Sequence, residues 1–562
     1  MNRTNYRAPR EHRTALIVPE PGRLPQVCQA NRELLATYDF RLLGRPAQDV
    51  RRSARRALLS LPATCLLGRP PTDDEIDPDG PIILTGHQPA LYHPGVWLKN
   101  FLAGHLARAV GGTPVNLNVD NDESHQLTIR APVVDGDKVR VVEAAYLAPT
   151  GGLPYEELDG SLLLDGLGDR LREQGVDENL CRAVDDYWRG LDAARPRGAL
   201  ARVVACARHQ LERQAGLNNM EAQVSDVARL TEFRLLVLDI LARLPQFHAA
   251  YNGGLATFRR VHHEKNAAQP MPDLLREGQR WEMPFWVWRT GGHRQRLWAT
   301  HRAEGVSLYL DGDDQPFVTM PHADLAAGGA GAVDVRSKGH TLRAVERVRR
   351  GGCPTVAVLA EQESRGVKIR PRALTLTLFA RVFLGDVFIH GLGGAIYDKV
   401  TDEIIRTYFG VEPPQLVTAT GTVLLPLVCF NARPDDRRRL LRRLRDIRYN
   451  PDRLMGATVA AQSEVRDLAD RKRDLVDRKR DLIERRRSTP GERAAAWREL
   501  REVNARLASL MEDESEATRR ELDVTAARLA DNAVLRNREY PFVLHPRDEL
   551  IAFYRHATAV PS

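Results

Sequence analysis

Apolar residues fall in two kinds of run along this chain, and their spacing predicts two kinds of element. Short unbroken runs closed by glycine or a polar loop predict buried strands. These are residues 81–85 (PIILT, closed by Gly86), 113–119 (TPVNLNV), 355–360 (TVAVLA), 386–390 (DVFIH) and 415–427. Runs with three- and four-residue spacing predict helices. Residues 95–110 carry Val96, Phe101, Leu102 and Leu106 and stop at Gly111-Gly112; residues 372–384 follow the same pattern. A further helix leaves Gly391–Gly394 and runs to Phe409, with Ile396, Val400, Ile404 and Tyr408 four apart, before Gly410 and Pro413-Pro414. Strand, loop, helix and strand over 81–119 make a βαβ unit whose strands both open into polar loops.

Elsewhere the pattern changes. Residues 48–61 form an Arg-rich helical stretch. From about residue 150 to 300, charged helices give way to the aromatic run WEMPFWVW at 281–288. We read this as an inserted lobe, with Trp281, Phe285, Trp286 and Trp288 as packing residues. The repeat RDLADRK, RDLVDRK, RDLIERR from Arg466 to Arg486 sets Leu468, Leu475 and Leu482 on one helical stripe. Ser488-Thr489-Pro490-Gly491 breaks it, and a return run carries Trp497, Leu500, Leu507 and Met511. This predicts an antiparallel coiled-coil hairpin. Lys472 and Lys479 occupy seam positions, so the seam is thin and the hairpin is expected to be mobile. Residues 540–544 and 550–554 are apolar enough to dock back on the body. The expected fold class is α/β: a Rossmann-like nucleotide-binding core with a helical insertion and a C-terminal coiled-coil hairpin. The expected division is 1–75 packing on the core, 76–150 and 331–435 as its two halves, 151–330 inserted, 436–535 as the arm, and 536–562 as the returning tail.

Composition narrows the class. The 562 residues exceed what one hydrophobic core fills. No apolar run is long enough to span a membrane, and the basic N-terminus lacks the apolar core of a secretory signal. Cys28, Cys65, Cys181, Cys206, Cys353 and Cys429 show no CxxC spacing. This argues against a zinc ribbon or disulfide scaffold and fits a reducing cytoplasm. The net charge of +8 is the small remainder of 82 basic and 74 acidic side chains, and only eight of the basic residues are Lys. The one concentrated basic stretch, Arg437–Arg448, has an apolar side of Leu440, Leu441, Leu444 and Ile447. It reads as a helix with snorkelling arginines leading into the arm, which argues against nucleic acid as a partner.

Three strand-to-helix junctions could carry chemistry. In residues 85–95 (TGHQPALYHPG), backbone N–H groups at a helix start favour an anion; Thr85, Gly86, Gln88, His87 and His93 surround it, and Lys99 lies one turn on. The same loop also reads as a structural turn built on Gly86 and Pro89. After Asn118, the loop Asp120–His125 offers Asp120, Asp122 and Glu123 for an amine, ribose hydroxyls or a metal, or caps a helix as a solvated turn. In HGLGGAIYD, Gly393 and Gly394 permit close approach to a ligand, with His390 and Tyr397 as contacts. Asp398 and Asp402 read equally as a first-turn pair. The pattern is not GxGxxG, and no GxSxG or Walker motif occurs.

These motifs, in this order, resemble the bacillithiol biosynthesis cysteine-adding enzyme family. TGHQPALYHPGVWLK (85–99), NVDNDES (118–124), FIHGLGGAIYDKVTD (388–402) and the 456–535 arm correspond to its glutamine-rich loop, acidic loop, glycine segment and coiled coil. The chain departs from that pattern at His87, Val119, Asn121 and Ala395, as a divergent member would. The resemblance implies a ligase joining the cysteine carboxylate to an amino-sugar such as glucosaminyl malate. The carboxylate needs activation, most simply by a nucleotide such as ATP. His87, His93 and Lys99 would then stabilise phosphate charge, and Asp120 or Asp122 would hold or deprotonate the amine. No metal is assigned, the partners are small molecules, and dimerisation through the arm stays open. Two other readings remain: a nucleotidyl- or adenylyl-transferring enzyme, and a non-enzymatic scaffold acting through the coiled coil.

Overall fold

The computed structural model describes residues 6–61, 76–194, 198–266, 268–303, 305–322, 334–337, 340–343, 354–454, 463–484 and 489–560. Cys65, Cys353, Arg486 and Ser488 lie outside them. The fold is mixed α/β around a central, mostly parallel sheet. The chain divides into two compact units: Met1–Ala131, Val142–Leu425 and Arg538–Ser562 form one, and Pro132–Val141 with Pro426–Asn537 form the other.

In the first unit, β1 (Thr14–Val18), β2 (Ile82–His87), β3 (Thr113–Asn118) and β4 (Met220–Gln223) belong to the main sheet. A second sheet is built from β5 (Arg280–Arg289), β6 (Gln295–Arg302), β7 (Gly305–Leu310), β8 (Val318–Met320), β9 (Asp334–Ser337), β10 (His340–Arg343) and β11 (Val367–Pro371). The chain then returns to the first sheet through β12 (Val387–His390) and β13 (Val417–Thr422). Its order is β1-β13-β12-β2-β3-β4, parallel throughout except for β1 against β13. From β2 the chain moves outward through β3 to β4, then comes back to the other side of β2 with β12 and β13. Strand order therefore reverses between β2 and β12, which makes that gap a topological switch point.

Local sequence explains the elements at this junction. Ile82, Ile83 and Leu84 are fully buried between parallel neighbours, as an unbroken apolar strand requires. Helix α1 (Pro94–Val110) starts with His93 as N-cap, its Nδ1 accepting from the Gly95 N–H at 3.1 Å, and with Pro94 in the first turn. Gly111, at φ +65°, ends it in the left-handed conformation. The returning tail docks through Phe542, whose ring centroid is 4.8 Å from that of Trp97.

One expectation changes. Residues 355–360 are not a strand: they lie in helix α2 (Pro354–Ser364), which follows β10. Thr355, Val356, Val358, Leu359 and Gln362 are its buried positions, a helical spacing that a six-residue apolar window cannot reveal. The segment 151–330, expected as an inserted lobe, is tied into the core. It supplies β4 to the main sheet, and Phe233, Leu236 and Phe247 share one core with β2 and β3. Within the aromatic run, Phe285 and Trp288 are fully buried. Helix 372–384 is Ala373–Phe379 continued by a π-helical turn, Ala380–Leu384.

The second unit contains α3 (Pro434–Tyr449), α4 (Ser463–Glu484), α5 (Pro490–Ser509) and α6 (Glu512–Leu535). Glu464 pairs with Arg506, and the Lys479 ammonium sits 3.6 Å from the Trp497 ring centroid, so α4 and α5 run antiparallel. Val465, Leu475, Leu500, Val503 and Leu507 form their core. The two seam lysines have partners: Lys472 is buried and donates to the Tyr449 carbonyl at 2.9 Å and to Asp452. The break before α6 was not legible in the repeat. α6 lies along α3, where Arg443 meets Glu514. On α3, Leu440 and Ile447 are buried but Leu441 is exposed.

Among the described residues no helix is long and apolar enough to cross a membrane. Among the described residues Cys28, Cys181 and Cys429 are free thiols, whereas Cys206 is disulfide-bonded.

Candidate functional site

A cavity of about 420 Å³ opens at the C-terminal edge of the main sheet, at the β2/β12 switch point. Its size and largely apolar wall suit a small ligand. Gly86, His87 and Gln88 come from the end of β2, Asn121 and Asp122 from the loop after β3, and Phe388 and His390 from β12. The second sheet and the segment after it contribute Trp286, Arg294, Pro371, Arg372 and Thr377. Three motifs separated by some 300 residues thus meet in one wall.

The charged groups are held firmly. Asp122 accepts from Gln88 Nε2 at 2.8 Å and pairs with Arg294 at 2.8 Å. Arg294 also reaches Glu123 at 3.2 Å, and Arg372 pairs with Glu282 at 2.7 Å. Both guanidinium carbons lie over the Trp286 ring, at 4.8 and 4.1 Å from its centroid. His390 Nε2 is 3.1 Å from Asp398 Oδ2, and Arg381 holds Asp398 at 2.6 Å and Asp402 at 2.7 Å. Burial works against ionisation of Asp398, but Arg381 and His390 together hold its carboxyl well below the usual range. Burial, reinforced by Lys99, pushes His87 down to about 3, so His87 is neutral at ordinary pH.

Three buried polar atoms of the residues around this cavity have no hydrogen-bond partner within the protein: Asn121 Oδ1, Arg294 Nε and Arg372 Nε. Buried polar groups rarely stay unpaired, so two N–H donors and one acceptor beside the cavity suit a polar ligand that the side chains can turn towards.

The other sequence candidates lie off the cavity. Thr85 donates to the Ile389 carbonyl and ties β2 to β12. His93 is the N-cap of α1, and burial pushes it down to about 3. The start of α1, expected to hold an anion, is covered: a Cβ on Gly95 would lie 2.3 Å from the Gly421 carbonyl and 2.6 Å from Arg538. Lys99 is buried and donates to the Gly86 carbonyl at 2.7 Å. Asn118 donates to Glu221 at 2.8 Å. Asp120 accepts from the backbone and hydroxyl of Ser225 at 2.8 and 2.5 Å, so it anchors the segment after β4. Burial, with Glu156 nearby, pushes it up to about 7. Gly393 lies off the wall and Tyr397 is partly exposed, both in α7 (Leu392–Ile404), while Gly394 clears space for the His390 ring, since a Cβ there would be 2.8 Å from Nδ1.

Arg294, Arg372 and Thr377 carry no local motif, and Trp286, read as a packing residue, lines the cavity instead. Asp398 was noticed only as a helix-start acid; the His390-x₇-Asp398 spacing, one strand end to the second turn of the next helix, was the available signal. No family model and no curated protein matches this sequence.

Proposed function

We propose that this chain is a divergent relative of the bacillithiol cysteine-adding enzymes, which joins an activated carboxylate to the amine of an amino-sugar in the cavity described above. The observation that carries the reading is the position and chemistry of that cavity: a switch-point pocket whose wall brings together two guanidinium groups, the Asp122 carboxylate and His390. Within this reading the sheet is a Rossmann-like core, the α4–α5 pair is a coiled-coil arm, and the chain works in the cytoplasm.

The residues divide by charge. Arg294 and Arg372 hold the carboxylate and the phosphate that activates it, sharing their guanidinium charge with the carboxylates that already fix them. A nucleotide such as ATP supplies the activation. The acceptor enters as the neutral amine, and Asp122, fixed by Gln88 and Arg294, accepts one of its N–H bonds and orients it. His390, backed by Asp398, takes the proton as the amine attacks: a C–N bond forms, the C–O bond to phosphate breaks, and phosphate leaves. Asp120 takes no part, because Ser225 already occupies both of its oxygens. The covered start of α1 argues against a nucleotidyl transfer that relies on that helix for its phosphate.

The test is mass spectrometry of the full chain incubated with cysteine, glucosaminyl malate and ATP. Product at the summed mass of the two substrates less one water, formed only with nucleotide, is the expected result. Nucleotide consumption without that product overturns the acceptor assignment; neither change overturns the reaction class.

A further inference from the structure

Behind the cavity floor lies a second cluster that the proposed reaction does not use. His209 and Glu212 sit three residues apart on the helix Leu200–Gln214, on one face, and Glu221 faces them from β4. All three are buried, with exposures of 1, 0 and 6%. Their candidate ligand atoms lie within 4.8 Å of one another.

The hydrogen bonding around them is divided sharply. Glu212 Oε1 accepts from Trp97 at 2.6 Å and Asn100 at 2.8 Å, and Arg208 Nε lies 3.3 Å away. Glu221 Oε2 accepts from Asn116 at 2.9 Å, Asn118 at 2.8 Å and Arg208 at 2.6 Å. The second oxygen of each, Glu212 Oε2 and Glu221 Oε1, has no partner, and neither has either ring nitrogen of His209. With both carboxylates ionised, one guanidinium leaves a net negative charge out of water, which is expensive unless a cation or a proton offsets it.

We propose that His209, Glu212 and Glu221 bind a divalent first-row transition-metal ion of the zinc or manganese class. One imidazole and two carboxylates suit such an ion, whereas calcium and magnesium prefer all-oxygen sets and copper(I) prefers sulfur. Metal–ligand bonds of about 2.0–2.2 Å bring ligand atoms to within about 4 Å, so small side-chain movements close the set. The donors around the two occupied oxygens act as the outer shell that fixes each carboxylate. None of the ligands lines the cavity, so the ion is structural. It clips the Leu200–Gln214 helix to β4, and through Asn116 and Asn118 it steadies β3, whose Leu117 and following Val119 line the cavity floor.

The test uses the full chain, purified from zinc- or manganese-supplemented cells and desalted, with metal counted by mass spectrometry. The chelator-treated protein is then titrated with zinc and manganese separately while its melting temperature is followed. The expected result is one ion per chain and a rise in melting temperature on titration. Both should be lost in His209→Ala and Glu221→Gln and kept in His248→Ala, a buried histidine elsewhere in the unit. Folded parent chain that carries no metal and whose melting temperature neither ion raises overturns the site, as does folded His209→Ala that keeps its ion. Should both variants fail to fold, the parent titration still decides.

Discussion

Asp120 and Asp122 stand two residues apart in one loop, yet the fold gives them unrelated work. Nothing in the local sequence separates them; the difference lies in what each meets, Ser225 for one and Gln88 with Arg294 for the other. The same holds for the cations. Lys99 looked like a phosphate ligand because it follows a helix start, but its amine is buried against the Gly86 carbonyl. Burial, then Arg208, lowers it from the ordinary 10.5 to about 7. Between those two values the unfolded chain binds a proton that the folded chain does not, so Lys99 makes stability rise with pH. The slope approaches about 1.4 kcal/mol per pH unit for one such group. In urea unfolding from about pH 7 to about pH 10, the parent should therefore gain stability relative to Lys99→Met. A gap that stays constant across that window would show that Lys99 remains charged in the fold.

Elements were easier to read than side chains, and the reasons are physical. β2, β3, β12 and α1 were legible because apolar runs ended in glycine, proline or polar loops at the right lengths. The segment 355–360 was misread because a short apolar run fits a strand and a buried helix equally well until the longer burial pattern is known. Glycines carried a different message from the one expected. Gly86 read as part of an anion loop or of a turn; in the fold it lets two strands run side by side, since an added Cβ would lie 2.7 Å from the Leu117 carbonyl and 3.1 Å from its Cβ. Backbone cannot move aside cheaply, so Gly86→Ala should cost about 1–3 kcal/mol, read as a lower denaturant midpoint. An unchanged midpoint would mean the β2–β3 spacing is looser than described.

At the scale of the whole molecule, the main sheet's order was beyond the sequence, because pairing between β2 and β12 joins residues some 300 apart. The cavity depends on that pairing, and on Trp286, Arg294 and Arg372 arriving from the second sheet and its neighbour. Every residue of its wall belongs to the first unit. Replacing residues 455–510 by a short flexible linker should therefore leave turnover unchanged, with α3 and α6 still joined through Arg443 and Glu514. A large loss of turnover in a folded protein would give the second unit a part in the chemistry.

The central claim is that the cavity, and not the full set of motif residues, is where the reaction occurs. Comparing turnover of Asp122→Ala, His390→Ala and Tyr397→Ala under the same substrates tests it most directly. The account predicts a fall of about 10²–10⁴-fold for His390→Ala and a comparable fall for Asp122→Ala. Tyr397→Ala, a motif residue outside the wall, should turn over like the parent. Loss of turnover in folded Tyr397→Ala, with the two cavity variants fully active, would contradict it.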